Sequence, residues 1–156
     1  MSRVACQVAE PFGENWAGSF DPAPGKSALD VEIFPRQVLV VDDEPLIRWS
    51  VTESLTALGL TVVDAPDAAT ALKMVTTSAL PFQVVLLDLR LPDMHDLSLL
   101  ATLRQLLPKA HLILMTAFGT PEIIDDATAL GADVLAKPFE LGELNRLVLA
   151  YHPGPH

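Results

Sequence analysis

The sequence predicts a parallel α/β fold, and three of its features carry the prediction. Short apolar runs alternate along the chain with longer segments of helical period. The most uniform run, Val84-Val85-Leu86-Leu87, has no polar residue within it, as expected for a strand covered on both faces of a sheet. Polar residues stand where such runs stop, with Asp42-Asp43, Asp88, Thr116 and Lys137 each following an apolar stretch. Parallel strands separated by helices require right-handed crossovers, which bring all those ends to one edge.

Val38-Leu39-Val40-Val41 reads as the first strand, ending in Asp42-Asp43. Pro45 suits a first helical turn; Ile47, Val51, Leu55 and Leu58 would form one helix face, and Gly59 the stop. Thr61-Val62-Val63 is a second strand. Asp67 is placed to cap a helix carrying Ala71, Leu72 and Val75. The strand into Asp88 follows, bounded by Pro81 and Pro92, and then a helix with Leu99, Leu100, Leu103 and Leu107 before Pro108. His111 to Met115 forms a fourth strand ending at Thr116, and Thr120-Pro121 opens a helix with Ile123, Ile124, Ala127 and Leu130, closed by Gly131. Val134-Leu135-Ala136 is a short fifth strand ending at Lys137-Pro138. Leu141, Leu144, Leu147, Val148 and Tyr151 line a last amphipathic helix.

Residues 1 to 36 differ from the rest. Pro11, Gly13, Gly18, Pro22, Pro24, Gly25 and Pro35 interrupt any period, which predicts a flexible tail. Phe12, Trp16 and Phe20 could share a helical face, although Gly13 and Gly18 oppose it. Residues 37–151 then form one domain, and residues 152–156 a breaker-rich end. The length of 156 residues suits a single core. A formal net charge of −10, with basic residues scattered singly, argues against direct nucleic-acid binding. One cysteine excludes an internal disulfide, and the four histidines lack metal-ligand spacing. No signal-like or membrane-spanning apolar run is present, so the expected location is the cytoplasm, away from the membrane.

The strand ends suggest chemistry together that none suggests alone. Singly, Asp88 could belong to a turn, Asp42-Asp43-Glu44 to a helix dipole, Thr116 to a cap and Lys137 to the solvated surface. On one edge they form a cluster of acids, a hydroxyl and an amine. Carboxylates a few ångströms apart repel by roughly 4 kcal/mol per pair at an effective dielectric near 20, so a cation is needed to keep them ionised. Few hard oxygen ligands with room for water favour Mg²⁺ over a closed calcium cage. A cation, an ammonium and a hydroxyl donor are what an arriving phosphoryl group requires, with a carboxylate, Asp88, as its nucleophile.

The motifs Val-Leu-Val-Val-Asp42-Asp43-Glu44-Pro45, Leu-Leu-Asp88-Leu-Arg-Leu-Pro92-Asp-Met, Met-Thr116-Ala117-Phe-Gly119 and Lys137-Pro138-Phe139 together resemble the receiver domain of two-component response regulators. The resemblance covers residues 37 to 151. It implies a doubly wound, flavodoxin-like five-stranded sheet of order 2-1-3-4-5 with five helices. It also implies that Asp88 accepts a phosphoryl group from a sensor histidine kinase or phosphotransfer protein, and acts as a phosphorylation-dependent switch. Asp43, Asp88 and the main-chain carbonyl of Arg90 would ligate Mg²⁺, with Asp42 helping directly or through water. Thr116 would bond a phosphoryl oxygen and Lys137 would pair with the phosphate. Ala117 would leave the site accessible, and the Lys137–Pro138 peptide would be cis. The chain would be no conventional enzyme, catalysing at most its own Mg²⁺-dependent phosphorylation and dephosphorylation.

Three positions depart from the family pattern. Asp96 stands where a glycine is usual, implying a strained left-handed residue. Val134 replaces the usual aromatic three positions before the lysine, and the six positions from Gly131 to Lys137 are one fewer than usual. These favour, as an alternative, a receiver-like interaction scaffold that does not use phosphate. A phosphatase working through an aspartyl phosphate would want an acid two residues after the nucleophile, where this chain has Arg90. Arg90 and Phe118 are both large, and in the family such positions flank the path of attacking water, which predicts a long-lived acyl phosphate. No effector segment is recognisable, so the output would be contact with a protein target or would pass through an effector outside this sequence. On the family's usual contact face Ile123, Ile124, Leu141 and Leu144 read as core, and homodimer formation stays open.

Overall fold

A computed structural model describes residues 36–150. Five strands, β1 (Gln37–Val41), β2 (Thr61–Ala65), β3 (Val84–Asp88), β4 (His111–Thr116) and β5 (Ala132–Ala136), alternate with five helices. The helices are α1 (Pro45–Ala57), α2 (Ala68–Thr77), α3 (Ser98–Leu106), α4 (Pro121–Ala129) and α5 (Leu141–Leu149). The strands form one parallel sheet in the order β2-β1-β3-β4-β5. Residues 1–35 of the expected tail and the C-terminal end, including Tyr151, lie outside the described residues. Arg36, read as the last residue of the tail, instead belongs to the domain, its carbonyl accepting the Thr61 amide at 3.0 Å and its Nη1 donating to the Val148 carbonyl at 3.1 Å.

Strand alternation divides the core between the two faces of the sheet. Leu39, Val41, Val85, Leu87, Leu112 and Leu114 point to one face, where Ala71 of α2, Leu99, Leu100 and Leu103 of α3 and Ala127 of α4 cover them. Val38, Val40, Val84, Leu86, Ile113 and Met115 point to the other, against Val51 and Leu55 of α1 and Leu144 and Val148 of α5. Every residue of β3 is buried, since this strand has neighbours on both sides and helices above and below.

The local signals act as their chemistry requires. Pro45 opens α1, and the side chains of Asp67 and Thr120 accept the amides of Thr70 and Ile123 at the starts of α2 and α4. Gly59 and Gly131 take φ of +89° and +81° just after α1 and α4, where a Cβ would strain the turn.

Several expectations need correction. β2 and β5 are each longer than read, because both sit at sheet edges, where exposed polar residues such as Asp64 and Asp133 break the apolar run without ending the strand. Leu58 is exposed, since it caps α1 beyond the last turn that packs. Ile124 and Leu141 are also exposed rather than core; the small Ala127 lets α4 approach the sheet, and Leu144 and Val148 bury α5. Asp96 is not strained. Among the described residues only Gly59 and Gly131 have positive φ, and Asp96 Oδ1 instead accepts the Ser98 amide at 2.9 Å, at the start of α3.

Candidate functional site

The carboxyl edge of the sheet carries the cluster. β1 runs straight into Asp42, whose side chain is wholly buried because the ends of β1 and β3 pack side by side. Its Oδ1 accepts the Glu44 amide at 2.9 Å, which turns the chain into α1. From α1, Arg48 donates Nη1 to the Asp42 carbonyl at 2.7 Å and Nε to Asp64 Oδ2 at 2.9 Å, fixing this acidic turn from outside. Asp88, the last residue of β3, is buried, and its Oδ1 accepts the Arg90 amide at 3.2 Å. Asp43 is exposed, yet carboxylate oxygens of Asp42, Asp43 and Asp88 all lie within 4.8 Å of one another.

Lys137 follows β5, and its backbone N–H bonds the Thr116 carbonyl at 2.9 Å. The peptide from Lys137 to Pro138 is cis. The Lys137 amine donates to Asp42 Oδ2 at 2.8 Å, Glu44 Oε1 at 3.0 Å and Asp88 Oδ2 at 3.3 Å. Burial alone would lower its pKa, but the bonds to Asp42 and Glu44 and the charges of Asp42 and Asp88 outweigh that and raise it above the ordinary lysine value. The amine is therefore a fixed positive charge. Burial pushes the Asp88 carboxyl above its ordinary range; the Lys137 charge opposes this and the Asp42 charge adds to it. An acid cluster in which the buried Asp88 carboxyl resists ionisation is short of positive charge. Three hard carboxylates, one of them open to solvent, fit a small divalent cation that keeps water among its ligands.

Thr116 is buried at the end of β4, one residue past the partner of Asp88 in the β3–β4 register. Its Oγ1 accepts the Phe118 amide at 2.9 Å, so the hydroxyl is held within its own loop. The Arg90 guanidinium lies 4.2 Å from the centre of the Phe118 ring, so the two large residues beside the site stack on each other. Next to Lys137 opens a mainly apolar cleft of about 520 Å³, with Leu46, Ile47, Ala117, Pro138 and Phe139 among its walls.

The structure thus brings Asp42, Asp43, Asp88 and Lys137 into one cluster, with Thr116 on the adjoining strand end. The sequence suggested for Glu44 only a role toward the helix dipole; at the N-cap of α1 it also shares the Lys137 amine, and its place directly after the acid pair was the available signal. Arg48 had no local signal, because its partners are a backbone carbonyl and a residue of the next strand.

The model of the response regulator receiver domain matches residues 38–149. Sporulation initiation phosphotransferase F of Bacillus subtilis is 32% identical over 118 residues, which are 75% of this chain and 94% of that protein. The DNA-binding transcriptional regulator NtrC of Escherichia coli is 38% identical over 112 residues, 71% of this chain; the chain spans only 24% of NtrC. A CheY-like receiver domain from Methanospirillum hungatei superposes with a TM-score of 0.69 at 28% identity, covering 74% of this chain and 91% of that one. With its sheet order and strand-end cluster on the same span, the chain belongs to the response regulator receiver domain family.

Proposed function

We propose that this receiver domain takes a phosphoryl group onto Asp88 from a phosphohistidine donor, and that the modification switches its contacts with a downstream protein. The observation that supports this reading most is the single amine of Lys137 shared among three carboxylates at one sheet edge. In the transfer, an Asp88 carboxylate oxygen forms a bond to phosphorus while the bond from phosphorus to the donor imidazole nitrogen breaks. The nitrogen keeps the electron pair and later takes a proton, and an acyl phosphate remains on Asp88.

Asp42, Asp43 and Asp88, with the Arg90 carbonyl, would hold Mg²⁺, which when bound supplies the charge that an incoming phosphoryl group requires. Lys137 would exchange its longest contact, to Asp88, for a phosphoryl oxygen, while Asp42 and Glu44 keep it in place. The Thr116 hydroxyl would leave the Phe118 amide and donate to another phosphoryl oxygen. Ala117 leaves the adjoining cleft open to a donor side chain. A scaffold indifferent to phosphate gains no support from a site in which every reacting residue is kept.

Incubation of the full chain with Mg²⁺ and a small phosphodonor, followed by intact mass, tests the reading. The wild type is expected to gain one phosphoryl group and Asp88→Asn none. Equal labelling of both, or no labelling of the wild type under any donor, would refute it.

A further inference from the structure

The first turn of α2 has its amides bonded both by its own N-cap residue and by a distant loop. Asp67, at the N-cap, accepts the Thr70 amide at 2.7 Å. The two preceding amides, of Ala68 and Ala69, donate to Asp93 Oδ1 at 2.9 Å and Oδ2 at 3.0 Å. Asp93 lies in the loop between Asp88 and α3. There it sits at the tip of a tight turn closed by Leu91 N–H to Met94 O at 2.9 Å and Met94 N–H to Leu91 O at 3.2 Å. Buried Leu91 roots that turn in the core. On its other side the Arg90 amide is bonded to Asp88 Oδ1. The Arg90 peptide is therefore strung between Asp88 and a turn whose tip is fastened to another helix. No residue of this loop has positive φ, so contacts rather than a special backbone conformation set its course.

We propose that Asp93 is a positioning residue for the metal and phosphoacceptor site: its two-oxygen grip on the start of α2 holds the Asp88-to-Met94 loop, and with it the Arg90 carbonyl, in the arrangement that receives Mg²⁺. This rests on the reading of Asp42, Asp43, Asp88 and the Arg90 carbonyl as a Mg²⁺ site. A loop already ordered gives up less conformational freedom when the ion arrives. The amides of Ala68 and Ala69 hold the Asp93 carboxyl below the usual range, so the grip persists wherever Asp88 is ionised.

A merely structural role, capping α2, makes a different prediction, and Asp67 supplies the control. Asp67→Ala removes one carboxylate and one capping bond from the same helix end without touching the loop. Mg²⁺ titrations by calorimetry on the full-length wild type, Asp93→Ala, Asp93→Asn and Asp67→Ala separate the two roles. Both alanine variants are expected to melt earlier, whereas only Asp93→Ala should bind Mg²⁺ about 10-fold more weakly. Asp93→Asn, which keeps one acceptor oxygen, should fall between, and carries the test if Asp93→Ala does not fold. Wild-type affinity in the Asp93 variants, or an equal loss in Asp67→Ala, overturns the proposal. A wild type that does not bind Mg²⁺ overturns the metal reading itself.

Discussion

Replacing Lys137 with methionine removes the ammonium bonded to Asp42, Glu44 and Asp88 while keeping most of the side-chain volume. The amine's nearest partner, Asp42 Oδ2 at 2.8 Å, belongs to a wholly buried side chain, and the lysine side chain is only 10% exposed. Glu44, at 56%, is screened by water and contributes little. Loss of one partner of a buried pair costs about 3–5 kcal/mol, because the other charge stays buried and unpaired. Asp88 softens the loss, since burial already favours its protonated form and it can take up a proton in response. The lower end, about 3 kcal/mol, is therefore expected for Lys137→Met without metal. Urea denaturation followed by far-ultraviolet circular dichroism measures it. Millimolar Mg²⁺ should then narrow the gap to wild type, because the variant's site no longer holds a competing ammonium and binds the ion more tightly. A metal-free loss under about 1 kcal/mol, the size of an exposed ion pair, would refute the reasoning. So would a gap that Mg²⁺ leaves unchanged.

Asp88→Asn should be more stable than wild type at neutral pH. The folded-state pKa of Asp88 is raised from about 3.8, mainly by burial, so the unfolded chain loses this proton first. Wild-type stability therefore falls as pH rises through the window between the unfolded and folded values. The advantage of Asp88→Asn should vanish below pH 3.8, and a pH series of melting curves that shows a constant difference contradicts this. Arg90→Ala with Phe118→Ala removes the stacked pair beside the site and should shorten the acyl phosphate lifetime; an unchanged decay rate by time-resolved mass analysis counts against a shielding role.

How much of this could be read from the sequence follows from how locally each feature is encoded. The buried strands were legible because a strand covered on both faces tolerates no polar residue, as in Val84 to Leu87. Helix boundaries were legible where a residue acts on its own chain neighbours, as Asp67 does on Thr70 and Gly131 on the turn it occupies. Asp88 and Lys137 could be placed together because parallel connectivity sends every strand end to the same side. Edge strands were cut short, since Asp64 and Asp133 face outward there and imitate a loop. The links from Arg48 to the Asp42 carbonyl and from Asp93 to the Ala68 amide were hidden for another reason. In each, one partner is backbone, which carries no residue-specific mark. Asp96 misled because a family glycine suggested a left-handed turn, while a side chain capping Ser98 gives the loop a different solution.

Because β5 forms the outer margin of the sheet, three strands from β1, the ammonium behind it works like a clasp thrown across the rim. Any fluctuation that peels this margin and α5 away abandons two interior anions, so it is dearer than the broken ladder alone would make it. An ion seated among the acids would relieve that penalty, and the flank farthest from β1 would then be the part of the molecule most released to rearrange.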